Sequence, residues 1–163
     1  MERHVAFSFY ALEKTRENLV KAIRALSLEQ ANQQPEGFNN TAAWNFCHPI
    51  VTSHLLTLGL SGLDTGLSAR ELAKFRKGSS GNLPCTQEEL DRFVALASDS
   101  IATLKQAYIS GDLKNFQAYE TSYGVTLNNI EEALHFIGVH EGLHLGYLMA
   151  QKRALNIQPT ANS

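Results

Sequence analysis

The sequence predicts an all-α protein, a four-helix bundle with a long crossover between the second and third helices. Three observations predict it. Apolar residues recur at three- and four-residue intervals in four long segments. No Val, Ile or Thr run alternates convincingly enough to build a sheet. Two of the connections are moderate, whereas the one between the second and third segments is long and rich in Gly and Ser. The 163 residues read as one domain, 1–163. A chain of this size buries roughly 68–70% of the surface it exposes unfolded, enough for a core without staples.

The first helix is expected over about 2–26, with Phe7, Tyr10, Leu12, Leu19, Ile23 and Leu26 along it and charges between. Pro35, Gly37 and the asparagines then break the period, and Asn40 or Thr41 can cap the next helix. That second helix, about 41–60, is apolar on most sides, as suits a buried helix. Pro49 lies inside it. An interior proline removes a backbone bond and costs about 3 kcal/mol, so a kink beside His48 is expected. A helix starting at Pro49 is the alternative, and it would leave Ala42–Phe46 without an element to order it. The crossover Ser61–Thr86 has room for one short helix at Ala69–Lys77. The third helix, about 86–110, starts from a Thr86 cap with Glu88 and Glu89 at its positive end and stops at Gly111. The stretch Asp112–Val125 is partly extended, and a proline-free helix comes after it over about 127–155. Such a set packs as a bundle with one parallel neighbour pair.

Composition narrows the function classes. The 14 Lys and Arg balance 16 Asp and Glu, for a net charge of −2, and show no basic stripe of the kind nucleic-acid binders carry. No nucleic-acid partner is therefore expected. The N-terminus mixes charges where a signal peptide needs an apolar stretch, and two cysteines make no disulfide framework, so a cytoplasmic protein is expected. Cys47 neighbours His48 but projects about 100° away on the helix, which favours packing; Cys85 reads as incidental.

Only 18% of the residues are charged, yet there are six histidines, three of them within 135–144. At about 100° per residue, His144 sits about 40° from His140 and both flank the core face of the last helix. Imidazoles at this spacing can bind one divalent ion at about 2.0–2.1 Å. His135 points about 140° away and cannot join them. His48, among Trp44, Phe46, Val51 and Leu55, is the candidate third ligand. Taken alone it would read as a satisfied core histidine; beside the pair it reads as part of a metal site. His4, His54 and His135 are assigned no role.

Glu141 falls about 100° from His140, in the middle of the apolar arc. A carboxylate there needs a partner. It is a partner of the metal site, a base for a bound water, or a carboxylate at the bundle rim. The string His140-Glu141-Gly142-Leu143-His144 also matches the zinc-protease pattern H-E-x-x-H. Leu145–Ser163 contains no His, Asp or Glu to serve as a third ligand, and no edge strand is visible, so the peptidase reading is set aside.

Gly138, Gly142 and Gly146 recur every four residues on the last helix, each costing about 1 kcal/mol relative to Ala. With the outer strip Phe136, Val139 and Leu143 they suggest close approach by another backbone, and hence a homodimer through the last helix. The alternative is that the crossover covers this face. The histidines and Glu141 make the segment too polar for a membrane span, so no membrane partner is expected.

The stretch PEGFNNTAAWNFCHPIVTSHLL, with HEGLHLGYLMAQKRAL further along, resembles the DinB-like (DinB/YfiT) superfamily of metalloenzymes. Trp44, His48, His140, His144 and Gly146 match its signature in order and spacing, and Pro49 departs from the more usual continuous helix. The resemblance implies an up-down-down-up bundle, usually a homodimer, with a divalent transition metal held by His48, His140 and His144. Zinc, nickel, iron and manganese all suit three imidazoles. Relatives include thiol-dependent S-transferases and a thiol-dependent maleylpyruvate isomerase. The expected function is therefore a metal-dependent enzyme that transfers a low-molecular-weight thiol or hydrolyses a small substrate. Glu141 would be its base or a partner of the site, and Trp44 and Tyr147 would wall its cavity. A non-catalytic dimeric bundle with a structural or adventitious ion is the competing expectation.

Overall fold

A computed structural model describes residues 1–79 and 81–155. Ser80 and the C-terminal stretch 156–163 of the expected domain lie outside the described residues. The fold is mostly helical: α1 (Arg3–Arg24), α2 (Leu28–Asn32), α3 (Ala42–Leu56), α4 (Ala69–Phe75), α5 (Gln87–Ser110) and α6 (Ile130–Ala154). The only sheet among the described residues pairs β1 (Tyr119–Glu120) antiparallel with β2 (Thr126–Leu127).

Local chemistry sets these boundaries. Thr41 accepts a hydrogen bond from the Trp44 amide and caps α3. Thr86 and Glu89 form a reciprocal capping box at α5, and Gly111 closes that helix in the left-handed conformation at φ 82°. Asn129 caps α6, which starts three residues later than expected because Leu127 belongs to β2. Helix α3 also ends early, at Leu56, and gives way to a 3₁₀ turn at Gly59–Ser61. It runs unbroken through Pro49, so Ala42–Phe46 are helical and the helix does not begin at the proline. The short α2 was not anticipated, although Ser27 and Gln30 form a capping box that specifies its start.

Helix α6 packs on α1 and α3, and α5 packs on both α1 and α3. The core falls into two apolar clusters. One gathers Leu19, Ile23, Trp44, Phe46, Ile50, Phe75, Phe93 and Leu148; the other gathers Phe9, Leu12, Ile101, Leu104, Leu127, Leu134 and Ile137. Along α6, His140, Glu141 and His144 occupy the turns between Ile137 of the second cluster and Leu148 of the first. His140, Glu141 and His144 therefore form a polar layer between two halves of the core. The crossover packs α4 on α3 and is fastened at Gly81, whose carbonyl accepts from the Thr41 amide and whose backbone leaves no space for a Cβ beside the Asn40 side chain.

Candidate metal centre

His48, on α3, and His140 and His144, one turn apart on α6, come together as predicted. Their ring centroids are 5.2 Å (His48–His140), 4.8 Å (His48–His144) and 4.6 Å (His140–His144) apart. One nitrogen from each lies within 4.8 Å of the others. Donors about 2.1 Å from a shared ion can be at most about 4.2 Å apart, so small ring rotations suffice to close on one.

Two of the three rings are oriented from behind. His48 donates from Nδ1 to the Phe75 carbonyl at 2.7 Å, which leaves Nε2 facing Thr52 Oγ1 at 3.3 Å. The Trp44 indole stacks on its face, with centroids 4.2 Å apart and planes within 8°, and is itself anchored by Nε1 donating to Ser79 at 2.9 Å. His144 Nδ1 lies 2.9 Å from Asn45 Oδ1. The Asn45 amide nitrogen donates to Gln151 Oε1 and to the Thr41 carbonyl, so its oxygen must accept and the imidazole must donate. Gln151 in turn donates to the Asn40 carbonyl. This chain of amides fixes the His144 tautomer and presents Nε2 as a free lone pair. His140 Nδ1 is buried and makes no hydrogen bond.

Burial holds all three histidines below the ordinary imidazole range. Desolvation lowers His48. It takes His140 to about 4, with the charge of His48 adding to the effect, and His144 to about 3, with His140 and His48 adding. Three neutral imidazoles with lone pairs converging on one point, and an orphaned ring nitrogen among them, fit a borderline divalent cation.

Glu141 lies where its angle on the helix put it, in the core and away from the cavity. Its carboxylate is gripped by Arg16 of α1, which donates from Nε to both oxygens at 3.1 Å and from Nη2 to Oε1 at 2.9 Å. Nη1 of Arg16 is taken up by Ser100 and the Ala97 carbonyl. Burial pushes the Glu141 carboxyl upward against the pull of the guanidinium. The sequence reading missed Arg16, although its spacing from Leu12 and Leu19 on the apolar face of α1 could have found it.

The histidines open on a cavity of about 590 Å³. Its walls are not Trp44, which packs behind His48, or Tyr147, which meets Phe38 edge to face. They come instead from Leu55 and Leu56 of α3, Phe136 and Leu143 of α6, and Tyr119 and Tyr123 of the β1–β2 hairpin. The remaining histidines stand apart from the cluster. His54 binds the Thr65 carbonyl through Nδ1 at 2.8 Å and ties the crossover to α3. His135 lies 2.8 Å from Ser8, and His4 3.4 Å from Glu131, at the exposed seam of α1 and α6. Cys47 and Cys85 are free, buried thiols.

A mostly helical fold here sets an H-x-x-x-H pair against a histidine of another helix, a three-histidine group that could hold a metal ion. The chain belongs to the DinB superfamily, a metal-binding family whose profile matches residues 11–148. No curated protein matches the chain.

Proposed function

We propose that the protein is a metal-dependent enzyme in which His48, His140 and His144 hold one divalent transition ion. The observation that carries this reading is that the three imidazoles converge at the wall of an open cavity. A structural site is closed by its protein ligands, whereas a catalytic one keeps a position for water or substrate. A bound ion supplies Lewis acidity and lowers the pKa of the group it meets. No Asp or Glu among the described residues lines the cavity to serve as a base for water. A thiol that arrives as its thiolate needs no such base, which favours transfer of a low-molecular-weight thiol over hydrolysis. Glu141, held by Arg16, is a positioning group for α6.

The proposed topology is the up-down-down-up bundle in a single domain, with α1, α3, α5 and α6 as its four members. The proposed assembly is a homodimer through α6. Val139 is 63% exposed and Tyr147 49%, and a Cβ at Gly138, Gly142 or Gly146 would meet nothing within 4 Å. The glycines thus have no neighbour among the described residues of their own chain to justify them. No helix among the described residues is long and apolar enough to cross a membrane. The free buried thiols accord with a reducing, cytoplasmic setting.

Elemental analysis of tag-free protein tests the site. One transition ion per chain, lost in His48→Ala and in His144→Ala, is expected, and activity toward electrophiles with added thiols should disappear with it. Metal without an exchangeable ligand position would favour a non-catalytic bundle holding a structural ion; no metal would overturn both readings.

A further inference from the structure

The cavity has a chemical asymmetry that the metal reading does not use. Its body is apolar: Leu55, Leu56, Phe136, Leu143 and the rings of Tyr119 and Tyr123 face it. Tyr123 and Phe136 meet edge to face at 5.6 Å, and Phe136 stacks toward His140 at 6.2 Å with planes within 24°. An aromatic path thus leads from the hairpin to a candidate ligand. Lys77, in the crossover just past α4, is the one Lys, Arg, Asp or Glu in the described lining and enters no ion pair among the described residues. Of the lining hydroxyls, Thr121 donates to the Val125 carbonyl and Thr52 faces His48 Nε2, and Ser122 adds a neutral donor.

We propose that this cavity binds a small amphiphilic carboxylate, with a ring-sized apolar body against Phe136 and Tyr123 and the anionic group at Lys77. The size fits. A cavity of roughly 150 Å³ accommodates benzene, so about 590 Å³ leaves space for a ring, a short chain and the head group. The sign of the charge also fits, because a cation would meet an unpaired ammonium with no carboxylate to offset it. The inference rests on the reading of the histidines as the reacting centre only in placing the substrate's reactive end toward them; the grip on body and anion belongs to the cavity.

The test is calorimetric binding of 4-phenylbutyrate, 4-phenylbutylamine and butyrate to the full chain, both metal-free and zinc-loaded. The phenyl carboxylate is expected to bind at least tenfold tighter than either comparison compound in both forms. Lys77→Gln should erase its advantage over the amine, and Tyr123→Ser, on the exposed hairpin, should erase its advantage over butyrate. Circular dichroism would confirm that both variants fold. Equal affinity for carboxylate and amine would overturn the proposal. So would carboxylate binding confined to the zinc form and indifferent to Lys77→Gln, which would seat the anion on the metal and leave the metal reading standing. Selective binding by a chain that takes up no metal would uphold the cavity assignment and remove the metal reading alone.

Discussion

Arg16 and Glu141 form a bidentate ion pair inside the core, their side chains 3% and 0% exposed, and the carboxylate stands between the two candidate ligands of α6 in sequence. Packing alone tolerates small rotations of a helix; this pair does not, because turning α6 about its axis would pull an ionised carboxylate off its countercharge. The imidazole lone pairs of His140 and His144 inherit that fixed orientation.

Removing one partner leaves the other charged and unpaired. Arg16→Met or Glu141→Leu alone should therefore destabilise the protein by about 3–5 kcal/mol, read from denaturant midpoints at unchanged slope. The double variant should recover most of the loss, since two apolar side chains of similar volume replace a pair whose burial is itself costly. A double variant as unstable as the worse single one would show that the pair does more than neutralise itself.

The amide chain behind His144 gives a second prediction. Asn45→Leu removes the acceptor that sets the imidazole tautomer and leaves the Gln151 oxygen without its donor. Metal affinity, measured by competition with a chromogenic chelator, should fall about 10–100-fold. An unchanged affinity would mean that packing by Trp44 alone orients the ring.

Metal should also act as a folding ligand. At a free ion concentration a hundred times the dissociation constant it adds about 2.7 kcal/mol, a rise of about 5–10 °C in melting temperature for a chain of this length. Chelation should reverse the shift, and His140→Ala should abolish it.

The buried histidines predict an acid-labile apoprotein. Unfolded imidazoles take up protons near pH 6.5, whereas folded His140 and His144 resist until about 4 and about 3. Below pH 6.5 the unfolded state binds more protons, so stability is complete above that pH and falls as it drops toward the folded values. Two such sites should remove roughly 3 kcal/mol between pH 6.5 and 5, measured by urea titration of chelated protein. Metal affinity, in contrast, should stay nearly flat from pH 8 to 6, because the folded ligands are already neutral.

The proposed dimer predicts a species of twice the 18.0 kDa chain mass in light scattering. Val139→Glu, on the exposed strip, should convert it to a monomer with unchanged helicity. A wild-type monomer would end the proposal.

Much of this arrangement is legible in the sequence, for physical reasons. His140 and His144 declare themselves because the helical period makes them neighbours whatever the rest of the chain does, and the Thr86 cap and Gly111 stop act within a few residues of themselves. The position of Glu141 followed from the same period. Its partner is less legible: the spacing of Arg16 from Leu12 and Leu19 separates it from solvated neighbours such as Lys14 and Glu17, but only the tertiary packing of α1 against α6 pairs it with Glu141. The cavity wall was illegible for a different reason. Each strand of the hairpin is two residues long, too short to show a period, and Tyr123 lies in the turn between them, so nothing local marks Tyr119 or Tyr123 as wall residues. Trp44 was expected at the wall because it lies one turn from His48; that spacing instead lays it flat on the back of the ring.

The hairpin between α5 and α6 contributes none of the candidate ligands, which all lie on α3 and α6. It nonetheless supplies two of the aromatic rings over the cavity. Part of the cavity wall is thus encoded in a stretch of chain separate from the helices that carry the candidate ligands, although α3 and α6 contribute wall residues of their own. If the proposed function holds, replacing the few residues from Thr121 to Gly124 should alter what the cavity accepts while leaving the three histidines untouched, which makes this turn the natural grafting point for redesign.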